Sequence, residues 1–442
     1  MPAPDVLAER LGRRLRRAQS EWRLPSVGAA VFRSGEVVWA EALGVADVDA
    51  GEQATPAHAY RIGSITKTFT AVCVLQLRDE GRLELDAPLR TYVPEMSAGP
   101  TVRHALAHLT GLQREPPGEI WETMRPPDRE ELVAGLEDAE RVLAPGAHWH
   151  YSNLAYGLLG EVVARLHGRP FPEVLAERVL DPLGLERTLL QPRPPYARGY
   201  FVEPYAGAAR LEPDLELTET TAALGQLWST VGDLARWGAF LAAGDDRVLR
   251  RETLDEMARV AVMADQERWT TGWGLGLGLY RRGDRVVAGH GGAMPGFLAF
   301  LGVSRADEIG AVVLTNTGAG ADPQTLGLDL LEATAELLPA EVPPWSPSEG
   351  PPRDVAALLG RWWTEGDELV VSWREGRLRA ELVGAAAWNR HATFEPQGDD
   401  RWRCVEGRER GELLRAVRDE NGAVVKLYFA TYPCTREPST FG

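Results

Sequence analysis

Ser64 and Lys67 stand three positions apart in GSITKTFT, where the apolar spacing predicts a helix start, so their side chains share one face. A serine hydroxyl is a poor nucleophile until a neighbour takes its proton. Arginine cannot do that, because it stays protonated, whereas a desolvated lysine can have its pKa lowered enough to act as a base. Composition adds weight to the pair. Of the 48 lysines and arginines, only Lys67 and Lys426 are lysine. A Ser-x-x-Lys pair also arises by chance in many chains of this length, so it calls for supporting groups.

Two further stretches supply them. In PGAHWHYSNLAYGLLGEVV, Tyr151, Ser152 and Asn153 end a loop and precede a helical pattern. A phenol near an ammonium loses its proton more easily and can relay it. The Asn153 amide can orient both a lysine and a substrate carbonyl. A buried tyrosine beside a helix cap reads equally well from these residues alone. In AGHGGAMPGF, His290 ends a strand-like run, followed by Gly291, Gly292 and Ala293. Such small residues let a substrate backbone lie along a strand edge. The backbone N–H groups of Ala293 and Ser64 could form an oxyanion hole. A glycine-rich turn with an incidental histidine is the competing reading.

These residues need elements to hold them. VGAAVF and EVVWAEALG read as a hairpin turning at Ser34-Gly35. SITKTFTAVCVLQLRDEG has helical apolar spacing and ends at Gly81. Residues 100–255 read as mostly helical, with loops between the pieces. RVVAGHGG, GFLAFLGV and IGAVVLTN are three β-rich runs, and QTLGLDLLEATAELL a closing helix. Strands from both chain ends with helices between them predict an α+β fold, one antiparallel sheet flanked by helices beside a helical subdomain. Leu7, Leu11, Leu15 and Ala18 predict a surface helix ahead of it. This first domain spans 1–338. A stiff linker with six prolines spans 339–353. Residues 354–442 form a small antiparallel β-barrel, with a hairpin turn at Asn421-Gly422.

The ordered set SITK, YSN and HGG resembles the signature of the serine β-lactamase and penicillin-binding superfamily. The class C-like branch is nearest, with its DD-peptidases, D-aminopeptidases and esterases. Tyr151 follows Ser64 by 87 residues, and His290 follows Tyr151 by 139, in keeping with that branch. LELDAPLRTYVPE, TVRHALAHLTGL, LDPLGLERT and STVGDLARW add flanking matches over roughly residues 20–335. The resemblance implies Ser64 as nucleophile and Lys67 and Tyr151 as shared general base and acid. It implies that Asn153 positions the substrate and that His290 binds a substrate carboxylate or tunes Tyr151. Which of Lys67 and Tyr151 first takes the proton stays open, since coupled groups titrate as a pair. The reaction implied is hydrolysis of an ester, a D-amino-acid amide or peptide, or a β-lactam through an acyl-enzyme. Two departures argue against efficient penicillin turnover. His290-Gly291-Gly292 replaces a Lys-Thr-Gly, and AALGQLWST lacks a tyrosine usual in class C enzymes. The barrel resembles the lipocalin-like barrels that some relatives carry. A catalytically idle binding protein on the same fold is the alternative function.

Composition narrows the partners. A net charge of −16 argues against nucleic acid and anionic membrane surfaces. No apolar run reaches a membrane span, and the N-terminal stretch lacks a secretory h-region, so the expected location is cytoplasmic. His104 and His108 lie four apart without a third ligand, so neither a metal nor any other cofactor is expected. Cys73, Cys404 and Cys434 show no metal spacing, and a reducing compartment disfavours a Cys404–Cys434 bridge. The expected partner is a small molecule or short peptide, with self-association left open.

Overall fold

The run SVGAAVFR forms strand Ser26–Arg33, buried along nearly its whole length. In this computed structural model, which describes residues 4–96, 99–216, 218–339, 344–347 and 350–438, that strand joins the two ends of the sequence. One neighbour is the hairpin partner Glu36–Asp47, and the other is Ile309–Thr315, paired antiparallel with Ala30 opposite Val312. From there the sheet continues through Phe297–Ser304, Arg285–Met294, Gly278–Arg282, Thr271–Trp273 and Val262–Met263. With Glu52–Gln53 at the opposite edge it has nine strands, all antiparallel, as the α+β reading predicts.

A sheet apolar on both faces must be covered on both. One face carries helices Pro4–Glu21 and Pro323–Leu337. Their Leu11, Leu15, Leu330 and Leu331 pack with Val27, Ala29, Val31 and Val313. Burying each such leucine contributes about 1.5–3 kcal/mol. On the other face lie helices Val231–Ala243 and Thr66–Asp79. Trp237 stacks on Phe69 at 3.8 Å, and its Nε1 donates to Thr68 Oγ1 at 2.8 Å. The serine-bearing helix is thereby fixed to the core from its first turn.

The middle of the chain is less helical than its apolar spacing predicts. Between residues 100 and 152 the helices are four to six residues long, Val102–Leu106, Ile120–Thr123 and Arg129–Ala134. His108 in the left-handed region follows the first closely, Pro126 and Pro127 the second, and Gly135 the third. Helix Asn153–His167, like Val231–Ala243, is longer. Ser152 caps it by accepting from Ala155 N, and Gly168 ends it in the left-handed region.

The chain divides into two compact units, Met1–Ala340 and Glu341–Gly442. Within the proline-rich stretch 339–353, residues 340–343 and 348–349 lie outside the described ones, and 344–347 adopt neither helix nor strand. The second unit is an eight-stranded antiparallel meander from Gly360–Thr364 to Tyr432–Cys434, each strand paired with the next. Trp363 and Thr435 exchange two backbone hydrogen bonds, at 2.8 and 3.0 Å, and so join first strand to last. Trp362, Leu378, Phe394, Trp402, Leu414 and Leu427 form its buried core. Cys404 and Cys434 are buried there as free thiols, and Cys73 is free and buried in the first unit. Among the described residues no helix is long and apolar enough to cross a membrane.

Candidate active site

Gly63 and Gly292 let two pieces of backbone approach unusually closely. Gly63 has φ +52°, and a Cβ on it would lie 2.5 Å from Ala293 N. A Cβ on Gly292 would lie 2.0 Å from Ile62 O. Neither position admits a side chain, so the turn carrying Ser64 is pressed against strand Arg285–Met294. The sequence reading gave both glycines of HGG to a substrate backbone. Gly292 instead makes room for the serine turn, while Gly291 is open, its nearest neighbour 3.9 Å from a built Cβ. The adjacent strand Gly278–Arg282 pairs only as far as Gly289, so among the described residues His290–Met294 has no strand partner on that side.

Ser64 ends up beside the amine. Lys67 Nζ is 3.0 Å from Ser64 Oγ and donates to Leu224 O at 2.5 Å. The loop bearing Leu224 is tied to the serine helix. Thr70 Oγ1 donates to Ala223 O at 2.6 Å, Thr66 Oγ1 accepts from Leu227 N at 3.3 Å, and Arg61 donates to Gln226 Oε1 at 2.8 Å. Lys67 is fully buried. Burial lowers its pKa from 10.5 to about 7, opposed in part by the charge of Glu115 and assisted by that of Arg114. No carboxylate forms an ion pair with it among the described residues, so little holds the proton on.

Tyr151 joins the same cavity. Ser64 is a hydrogen-bond partner of its phenol, yet burial dominates and pushes the pKa well above 10. Its ring is held by His108, stacked 4.2 Å away at 26°, and by Trp273 edge-on at 6.1 Å. Lys67 Nζ lies 5.2 Å from the ring centroid. His108 is fully buried and accepts from Ser152 N at 3.1 Å through Nδ1. Its pKa is held well below 6.5, first by burial and then by the charges of Lys67 and His290. The ring is therefore neutral and carries its proton on Nε2.

Asn153 opens its helix one residue after the cap. Its Nδ2 donates to both carboxylate oxygens of Glu115, at 2.8 and 2.9 Å. His290 is 3% exposed, and its Nδ1 lies 2.5 Å from Gly291 O. Burial, then the charge of Lys67, lower its pKa to about 3. A neutral ring donating through Nδ1 has only a lone pair left at Nε2. That polarity does not suit the carboxylate-binding role raised from the sequence.

All eight proposed residues thus meet in one place except Lys67, which lies behind the wall. Ser64, Tyr151, Asn153, His290 and the run 291–293 line a cleft of about 880 Å³. Trp121, half exposed, sits on its rim, and Gly225 occupies the wall without filling it. Trp228 is part of the core, with Arg61 5.1 Å from its ring. Glu115 and the Leu224 carbonyl escaped the sequence reading, and His108 was weighed there only as a metal ligand. His108 lies in the quoted TVRHALAHLTGL, but Glu115 sits in a loop without any periodic signal. His104 closes a capping box with Thr101, and among the described residues no group of three or more His, Cys, Asp or Glu could hold a metal ion.

Comparison with known proteins bears on the family and the fold. Residues 11–336 match the Beta-lactamase family and residues 351–436 a domain of unknown function, DUF7586. Penicillin-binding protein 4 of Amycolatopsis lactamdurans is 28% identical over 79% of this chain and 95% of its own. Esterase EstB of Burkholderia gladioli is 34% identical over 40% of this chain and 50% of its own. Among solved structures, a D-stereospecific amidohydrolase from Streptomyces sp. aligns with a TM-score of 0.63 at 26% identity, over 75% of this chain and 99% of that one. A nine-stranded antiparallel sheet, a Ser-x-x-Lys pair with its lysine buried and a family match over most of the sequence lead to one conclusion: this chain is a member of the β-lactamase family, with the fold of the serine enzymes and the character of a hydrolase.

Proposed function

We propose that the protein hydrolyses small amides or esters through an acyl-enzyme on Ser64. The observation that carries this is the Lys67 amine, 3.0 Å from Ser64 Oγ in a site that brings its pKa to about 7. A neutral amine has two N–H bonds and one lone pair. One N–H serves the Leu224 carbonyl, and the lone pair is free to take the Ser64 proton.

As Ser64 Oγ bonds to the substrate carbonyl carbon, its proton passes to Lys67 Nζ. The developing oxyanion is held by the backbone N–H groups of Ser64 and Ala293. Tyr151, kept un-ionised by burial, gives its hydroxyl proton to the departing nitrogen or oxygen as the bond to carbon breaks. The proton taken up by Lys67 then replaces the one the phenol gave up, so both groups return to their starting state. Water then attacks the ester on Ser64 by the same groups in reverse, releasing the acid and restoring the hydroxyl. In this scheme Lys67 is the first proton acceptor, because its amine is neutral near pH 7 while the phenol resists ionisation. Relatives named as an esterase and an amidohydrolase support the bond types.

Intact-mass analysis after a fluorophosphonate, with turnover of p-nitrophenyl esters and p-nitroanilides, tests the proposal. A single adduct mapping to Ser64, absent in Ser64→Ala, is expected. No adduct and no turnover with any acylating agent would leave an idle binding protein as the better account.

A further inference from the structure

The barrel of the second unit holds a cavity of about 130 Å³ that takes no part in the chemistry at Ser64. It lies at one end of the barrel, where the turn at Glu365, the segment ending at Arg390, the loop with Arg408 and Glu409 and the turn before Tyr432 come together. Strand register explains why the space is there. Ala380 and Ala392 stand directly opposite one another on neighbouring strands Arg377–Leu382 and His391–Gly398, and both are buried in the barrel core. The next pair inward, Leu378 and Phe394, is bulky and fills its layer, whereas two facing alanines do not. Leu369 and Leu382, paired nearer the mouth, extend the apolar wall. Phe429, held edge-on by Phe394 at 5.1 Å, completes it. Charges are confined to the mouth and are balanced there. Arg408 pairs with Glu409 at 3.3 Å. Arg390, whose Nε donates to Ala385 O at 3.2 Å, and Glu365 add one charge of each sign. A ligand charge of either sign therefore meets a like charge.

We propose that this end of the barrel binds a small uncharged molecule with a single ring. Its apolar part rests against Ala380, Ala392 and Phe429, and one hydroxyl or amide meets the polar groups at the mouth. Size sets the class, since an apolar cavity of about 150 Å³ takes up benzene and two fused rings need more room. The barrel mouth is also where closed sheets commonly hold a ligand, because the side chains there need not fill the interior.

Phenol, 1-naphthol, benzoate and benzylammonium are the probes, used with the full chain. Peptide-resolved hydrogen–deuterium exchange is expected to slow with phenol around residues 364–369, 380–392 and 407–411. The phenol Kd from that titration should be about fivefold or more below those of the other three, which are too large or carry a charge into an apolar site. Ala380→Leu fills the gap from within, so it should raise the phenol Kd by about tenfold or more while the barrel stays folded with an equal or higher Tm. Ala392→Val is a second, smaller filling, expected to weaken phenol in the same direction. If neither variant folds, the wild-type exchange map and the ranking of the four probes decide. Absence of slowing in the second unit, even with a raised Tm in Ala380→Leu, would show a packing defect and overturn the inference. So would phenol binding unchanged in both folded variants, or tighter binding of naphthol or of either charged probe. Labelling and turnover at Ser64 do not enter these measurements, so the hydrolase reading stands or falls separately.

Discussion

Replacing Lys67 by arginine keeps a cation beside Ser64 and removes the ability to accept a proton. Two quantities set the size of the effect. With its pKa near 7, about half of the lysine is neutral at pH 7. An arginine in the same place stays protonated at any accessible pH, its neutral form being on the order of one molecule in 10⁵ to 10⁶. If neutral base is required for acylation, turnover falls by about that factor, down to the background left by binding and the oxyanion hole. Wild-type kcat/KM should rise with pH and reach half its plateau near pH 7, the value set by burial of this amine. Burst kinetics on a p-nitrophenyl ester, with Ser64 labelling to count folded sites, measures both. Near-normal acylation by Lys67→Arg, or a wild-type profile flat from pH 5 to 9, would refute the assignment of Lys67 as base.

The same burial has a signature in stability. The folded pKa of Lys67 lies below its unfolded value of 10.5, so the penalty is absent above about pH 10.5, grows as pH falls, and is complete below about pH 7. At pH 7 it is about 4 kcal/mol, so Lys67→Met should raise Tm despite leaving the Leu224 carbonyl without its donor, a loss of about 1–3 kcal/mol, and the gain should vanish towards pH 10. Gly292→Ala would place a methyl 2.0 Å from Ile62 O and push the serine turn away, so Ser64 labelling should slow by about 100-fold or more with the fold retained in circular dichroism. His108→Phe keeps the stack on Tyr151 but strips the acceptor from Ser152 N–H. Denaturant melts should show a loss of about 1–3 kcal/mol, and kcat should fall more than KM changes. Glu161, paired with Arg129 and Arg165, has its pKa lowered through those hydrogen bonds against an opposing effect of burial. Glu161→Gln should therefore lower Tm at pH 7, and the difference should disappear as pH falls below the usual carboxylate range and the wild-type group is protonated.

How much of this could be read from the sequence depends on the range of the interaction involved. Ser64 and Lys67 were legible because their relation is a property of one helical turn, which local spacing fixes. The two ends of the sheet were legible because β-rich apolar runs bounded by turn residues mark the strands, although the pairing of Ala30 with Val312 spans most of the first unit. Short helices between residues 100 and 152 were not, because apolar residues there pack as loops around the cleft and imitate helical spacing. The barrel's strands were visible, but its closure rests on one bridge between Trp363 and Thr435 that no pattern announces. The clearest failure concerns chemistry rather than fold. Residue type alone says that an asparagine can donate or accept and that a histidine can do either or carry charge. Glu115 and the Gly291 carbonyl remove that freedom, one from 38 residues away and the other from the next residue along the strand. A motif therefore names the groups that meet at the site, and their direction is set by partners outside the motif's own logic. That is why His290 is better understood as a neutral ring with a lone pair at Nε2 than as a weakened anchor for a carboxylate.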